Sequence, residues 1–243
     1  MEKSNSKKKI AVFISGRGSN LKNLIKHSKL KKSKFTVHLV LSNKSGAKGL
    51  SYAKFNKIKN YVYEKKLSLF EKEAIKLIKK FKINVICLAG FMRILTPLFL
   101  TKVKIPVLNI HPSLLPLLKG LNTHARAIKA KHKYSGCTVH FVNSQLDAGE
   151  IIIQKRIKIL KKDTPKTLEK KILKLEHKAY IDRRERIYQP KLNWILDALA
   201  ALGYSDANLK TKQWCELGCG AGYFISCLEN MGYSVDDSQM EIL

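Results

Sequence analysis

Acidic side chains are scarce in this 243-residue chain: 18 Asp and Glu stand against 47 Lys and Arg, leaving a formal net charge of +29. Cysteine is scarce as well. The five present, Cys87, Cys137, Cys215, Cys219 and Cys227, form no CxxC pair, so the usual spacing of a structural zinc site is missing and no metal site is expected. Their irregular spacing suits reduced thiols, not the dense disulfide framework of a small secreted domain. Long apolar runs are lacking too: stretches such as Val85–Leu88 and Ile151–Ile153 fall far short of the roughly 20 residues that span a bilayer. The apolar stretch after the charged start, Ile10–Ser15, is too brief for the core of a secretory signal. A cytoplasmic protein with no membrane partner is the expectation. What is present, 45% apolar and 8% aromatic residues, suffices to bury a core and excludes wholesale disorder.

The positive charge resembles a nucleic-acid signature, yet its distribution argues otherwise. Lysine far outnumbers arginine and is spread along the chain, whereas bidentate recognition of bases and phosphates favours arginine. A lysine-rich solvated surface is the simpler reading, and its field can still attract anionic small molecules. The charge also changes abruptly. Residues 1–180 carry 41 basic and 9 acidic side chains, while residues 181–243 carry 6 and 9. The change begins at the Arg183-Arg184-Glu185-Arg186 cluster and places a boundary near residue 182, dividing the chain into 1–182 and 183–243.

Before that boundary, short apolar strands alternate with amphipathic helices. Strands are expected at Ile10–Ser15, Phe35–Ser42, Ile83–Ala89 and Pro106–Ile110, the last two as nearly continuous apolar runs of the kind buried on both faces of a parallel sheet. Helices are expected at Ser19–Ser28, with Leu21, Leu24 and Ile25 inward, and at Leu67–Phe81, with Leu69, Phe70, Ala74, Leu77 and Ile78 inward. This is a βαβ series, hence a doubly wound α/β domain with a mostly parallel sheet. Thr138–Asn143 and Glu150–Ile159 follow each other without a helix between them, which suggests an antiparallel edge. A lysine-rich helix over Asp163–Tyr180 closes the domain, with Asp163 as its N-cap and Pro165 in its first turn.

Ligands of such sheets sit outside the carboxyl ends of the strands, so three loops stand out. Ser15-Gly16-Arg17-Gly18-Ser19-Asn20 links a strand to a helix; its glycines let backbone approach a ligand, and the amides at the helix start suit a phosphate. Asn109-Ile110-His111-Pro112-Ser113 ends an apolar strand and places Asn109 and His111 on one face. An amide donor beside an imidazole suits a developing oxyanion and a moving proton. Leu146-Asp147-Ala148-Gly149 is an Asx-type turn, and its carboxylate could orient His111 and raise the imidazole pKa if the two meet.

Taken in this order, the loops resemble phosphoribosylglycinamide formyltransferases, over about residues 9–180. The matching segments are Ile14–Leu21, Leu88-Ala89-Gly90-Phe91-Met92-Arg93-Ile94-Leu95, Asn109–Pro116, Gly136–Val142, Leu146–Gly149 and Glu176-His177. The resemblance implies a formyltransferase fold and transfer of a formyl group from 10-formyltetrahydrofolate, as co-substrate, to the amine of glycinamide ribonucleotide in purine synthesis. By the same likeness Gly18, Ser19 and Asn20 would hold the ribonucleotide phosphate and Glu176 its sugar. Met92, Arg93, Ile94, Leu95 and Asn143 would line the folate pocket, and Asn109, His111 and Asp147 would be catalytic. Lys119 stands where the family usually has proline. Alternatives kept open are a sugar-nucleotide N-formyltransferase and a non-catalytic, basic nucleic-acid-binding protein on the same fold.

The stretch after the boundary contains Glu216-Leu217-Gly218-Cys219-Gly220-Ala221-Gly222, similar to the first motif of class I S-adenosylmethionine-dependent methyltransferases. Only 21 residues follow Gly222, too few for the βαβ units, roughly 30 residues each, that would complete such a sheet. Residues 183–243 are expected to be an incomplete α/β fragment that does not bind S-adenosylmethionine tightly.

Overall fold

The computed structural model describes residues 7–182; the methyltransferase-like segment 183–243, with Gly218, Gly220 and Gly222, lies outside them. In chain order the elements are β1 (Lys8–Ile14), α1 (Ser19–Ser28), β2 (Phe35–Ser42), α2 (Gly49–Phe55), β3 (Lys59–Val62), α3 (Leu67–Lys80), β4 (Val85–Leu88), α4 (Pro97–Val103), β5 (Val107–His111), α5 (Thr123–Lys129), β6 (Tyr134–Phe141), β7 (Ile151–Lys158) and α6 (Pro165–Asp182). They build one seven-stranded sheet in the order β3-β2-β1-β4-β5-β6-β7. β3, β2, β1, β4 and β5 run parallel, while β6 and β7 add antiparallel. The α/β fold and its antiparallel edge are those expected.

Successive residues of a strand face opposite layers. From β1, Ala11 and Phe13 enter a core with Phe70, Ala74, Leu77 and Ile78 of α3 and Phe99 and Val103 of α4. The Phe13 ring meets Phe70 edge-on at 5.4 Å and Phe91 at 5.6 Å between centroids, a favoured aromatic geometry. The opposite layer holds α1 packed on α6 and α6 packed on β6, with Leu21, Leu24, Leu168 and Ile172 buried. Tyr180 pins the end of α6 to the sheet: its hydroxyl donates to Leu88 O at 2.9 Å, with Leu108 O at 3.3 Å.

Four elements were not expected from the pattern. Helices α2, α4 and α5 have seven residues each and β3 has four, shorter than the window in which hydrophobic periodicity becomes legible. α4 depends on a tertiary bond. Buried Glu71 on α3 accepts from Thr96 N and Thr96 Oγ1, both at 2.7 Å, and Thr96 Oγ1 in turn accepts from Phe99 N at 3.1 Å as the helix N-cap. Two other readings need correction. Leu69, expected inward, is 45% exposed while Phe70 is 1% exposed, because the inward positions run 70, 74, 77 and 78 and Glu71 shares their side. The N-cap of α6 is Thr164, whose Oγ1 accepts from Thr167 N at 3.2 Å. Asp163 instead accepts from Leu160 N and from Lys171 Nζ, which places it one residue before the cap.

Phe70→Ala is therefore expected to cost about 3–5 kcal/mol in urea unfolding. Leu69→Ala should stay within about 0.5 kcal/mol of the native chain. Similar losses in both would return Leu69 to the core.

Candidate active site

In the strand order β1 leads outward to β2 and β3, while β4 starts the other half of the sheet. A crevice opens where the order reverses, between the carboxyl ends of β1 and β4. Ser15 ties the loops there together. Its N–H donates to Gly90 O at 3.1 Å, its hydroxyl donates to Asn43 Oδ1 at 2.6 Å, and that hydroxyl accepts from Met92 N at 2.8 Å.

Gly18 is the N-cap of α1, in the left-handed region at φ 71°, and no side chain caps the first turn. Its N–H groups point outward, an arrangement suited to an anion. Packing gives a further reason for glycine at position 18. A Cβ on Gly18 would lie 2.5 Å from Gly49 Cα, whereas one on Gly16 would meet nothing within 4 Å. Gly49 N also donates to Gly16 O at 3.0 Å. The missing side chain of Gly18 thus admits the start of α2, and Gly49 was not recognised in the sequence. Beside this turn Asn20 Nδ2 donates to Glu176 Oε2 at 2.7 Å in a buried contact, so two of the expected ribonucleotide residues do meet across α1 and α6. Burial pushes the Glu176 carboxyl up to about 7; the Asn20 bond opposes this and the charge of Glu169 adds to it. Asn20 Oδ1 and His177 Nε2 are buried and have no hydrogen-bond partner among the described residues.

At the end of β5 the second cluster forms. Asn109 lies directly opposite His140 of β6 in the antiparallel register, and Asn109 Nδ2 is 3.2 Å from His140 Nε2. With His140 Nδ1 on Phe141 O at 2.7 Å, that nitrogen is the donor and Nε2 accepts from Asn109. The other amide hydrogen faces Asp147 Oδ1 at 3.4 Å. Asp147 comes from the β6–β7 connection, left-handed at φ 45°, and is 9% exposed. Its Oδ2 accepts from Gly120 N at 2.9 Å and lies 3.3 Å from His111 Nδ1. The other His111 nitrogen, Nε2, is 2.9 Å from Leu118 O. Asn109, His111 and Asp147 therefore converge as expected. His140 joins them; its signal in the sequence was a lone histidine in an apolar strand, legible only once the strand register is known.

Both ring nitrogens of His111 face oxygens, an arrangement that a doubly protonated ring satisfies. Burial nonetheless carries its pKa below the usual imidazole value, against the raising effects of the Leu118 carbonyl and the Asp147 charge. The expected net rise is not found, because desolvation outweighs the carboxylate. For Asp147 burial acts upward, but the neighbouring His140 ring, the hydrogen bond from Gly120 and the His111 imidazole hold the carboxyl below its ordinary range. The carboxylate is thus kept ionised beside a buried imidazole.

The expected folate residues divide. Met92 and Ile94 are 60% and 62% exposed, whereas Leu95 is 3% exposed and belongs to the phenylalanine core, so its side chain cannot line an open pocket. Arg93 is exposed, its guanidinium 3.5 Å from Lys65 O. Asn143 Oδ1 accepts from Gln145 N at 3.0 Å, shaping the loop that leads to Asp147. Among the described residues no group of three or more His, Cys, Asp or Glu is placed to hold a metal ion, and no helix is long and apolar enough to cross a membrane.

Residues 8–183 match the family described as formyl transferase. The chain belongs to that family. It is 40% identical over 177 residues to the phosphoribosylglycinamide formyltransferase of Haemophilus influenzae, covering 71% of this chain and 84% of the relative. It is 41% identical over 179 residues to the trifunctional purine biosynthetic protein adenosine-3 of Gallus gallus, of whose length it spans 18%. The crystal structure of phosphoribosylglycinamide formyltransferase from Anaplasma phagocytophilum superposes with a TM-score of 0.68 at 40% identity, covering 72% of this chain and 83% of that one.

The Glu176 carboxyl yields a stability test. Its folded pKa of about 7 lies above the ordinary 4.5, so its protonated form suits the fold; the contribution is intact below about pH 4.5 and is lost as pH rises through about 7. The loss approaches about 3 kcal/mol at full ionisation. Glu176→Gln is expected to remove this decline in melts run from pH 5 to 8.5; an unchanged slope would place the titration elsewhere.

Proposed function

We propose that the chain transfers the formyl group of 10-formyltetrahydrofolate to the primary amine of glycinamide ribonucleotide. The observation that carries this reading is the cluster of Asn109, His111 and Asp147 at the carboxyl end of β5, on the same side of the sheet as a helix start suited to an anion. In the reaction the amine lone pair forms a bond to the formyl carbon and the carbonyl oxygen gains negative charge. The bond to the folate nitrogen then breaks, its electron pair going to that nitrogen, which takes up a proton while the amine gives one up. Family kinship and the chemistry of the loops support the assignment of substrates.

Each residue has a part that its position suits. Asn109 supplies amide hydrogens near the developing oxyanion; its 3.4 Å bond to Asp147 is the weaker of its two and yields to a stronger acceptor. His111 supplies a second donor when its Nε2 leaves Leu118 O, and an oxyanion competes for that hydrogen better than a neutral carbonyl. Asp147, held ionised, stabilises the imidazolium and accepts the proton moving between the two nitrogens, through the ring or a water. His140 accepts one hydrogen of the Asn109 amide and so fixes its plane. Gly18, Ser19 and Asn20 receive the phosphate at the start of α1, with Glu176 at the sugar. Met92, Arg93, Ile94 and Asn143 border the folate.

The assay is to mix 10-formyltetrahydrofolate, or a 10-formyl-dideazafolate analogue, with glycinamide ribonucleotide and follow deformylated folate. Steady turnover is expected; none, in folded protein, overturns the reading. His111→Ala and Asp147→Asn should each slow the chemical step by about 10²-fold or more. Asn109→Ala should lower kcat with little change in ribonucleotide affinity.

A further inference from the structure

Between β5 and α5 the backbone turns left-handed three times within five residues, at Leu118 (φ 55°), Gly120 (φ 77°) and Asn122 (φ 57°). Non-glycine residues in that region cost about 1 kcal/mol or more each and persist only where surrounding contacts impose them. On one side the loop serves the site: Leu118 O holds His111 Nε2 and Gly120 N holds Asp147 Oδ2. On the other, a single side chain holds the alternate carbonyls. Arg126 Nη1 on α5 donates to Lys119 O at 2.6 Å and to Leu121 O at 3.2 Å. The backbone thus addresses the site at residues 118 and 120 and Arg126 at residues 119 and 121.

We propose that Arg126 is a positioning residue for formyl transfer, a clamp whose two hydrogen bonds hold residues 118–121 so that the Gly120 amide and the Leu118 carbonyl set the geometry of the Asp147–His111 pair. The proposal rests on the formyltransferase reading given above. Arg126 is exposed and hydrogen-bonds neither catalytic side chain; its charge bears on His111 from a distance, while its two hydrogen bonds hold the loop. One planar guanidinium nitrogen carries two hydrogens and meets both carbonyls from a fixed plane, which lysine, a flexible ammonium, reproduces less well. Ser113 Oγ lies 2.7 Å from Leu117 O and 3.3 Å from Leu118 O; it anchors the start of the loop but reaches neither carbonyl that flanks Gly120. A loop released by even about 1 Å loses the alignment on which proton movement depends.

The test uses the full chain with Arg126→Ala and Arg126→Lys. Expected for Arg126→Ala are a kcat lower by about tenfold, both KM values within about threefold of wild type, and hydrogen exchange at the Gly120 amide, read by NMR, faster by at least about tenfold as its bond to Asp147 opens more often. Arg126→Lys should recover part of both. A fall in kcat with unchanged Gly120 exchange overturns the clamp, as does faster exchange with unchanged kcat. If the wild-type chain turns over neither substrate while Gly120 exchange still responds to Arg126→Ala, the formyltransferase reading fails and the loop contact stands without its catalytic meaning. An Arg126→Ala protein that does not fold, judged by circular dichroism, leaves Arg126→Lys to decide: full wild-type kcat and exchange in a folded Lys variant overturn the need for a guanidinium.

Discussion

The buried carboxylate of Asp147 is the point through which the site is assembled. It accepts from the Gly120 amide, faces His111 Nδ1, and lies within reach of the Asn109 amide. An ionised carboxylate away from water is tolerated only when such donors replace its hydration. Those donors come from β5 and the connection after it, while Asp147 comes from the connection between β6 and β7, so satisfying one charge holds these segments in register. Function and local structure share a requirement here: what keeps Asp147 ionised also places the imidazole and the amide beside each other.

The sheet supplies the frame on which this charge can be buried. β1 and β4 are covered on both faces, and Phe13, Phe70, Phe91 and Phe99 fill the layer beneath α3 and α4. Ser15 then joins the turn after β1 to the Gly90–Met92 turn after β4, while Tyr180 joins α6 to β4 and β5. Since α6 also carries Glu176 against Asn20, the helix that closes the fold brings the sugar side of the proposed ribonucleotide site to the phosphate side. Rigid elements hold both ends, and the loops between them carry the chemistry.

Two glycines carry packing requirements that their sequence motifs do not disclose. Gly18 marks the start of an anion-ready helix, but its missing side chain makes room for Gly49. Gly149 stands beside Asp147 for a similar reason: a Cβ there would lie 1.8 Å from Phe141 O. In both cases backbone approaches backbone, which no single strand–turn–helix pattern discloses.

The sequence alone determined the βαβ order, the antiparallel edge, the longer helices and Asn109, His111 and Asp147 as residues whose chemistry suits an oxyanion and a moving proton, because hydrophobic period and residue chemistry are local properties. It carried Asn20 and Glu176 only through likeness to a family, not through any spacing between them. Tertiary structure decided the rest. Whether Asp147 reaches His111, that His140 stands opposite Asn109, that Leu95 turns into the core, and that burial outweighs a carboxylate in setting the His111 pKa all depend on distances between segments far apart in the chain. Desolvation in particular has no local signature: it is a property of what the whole fold places around a group.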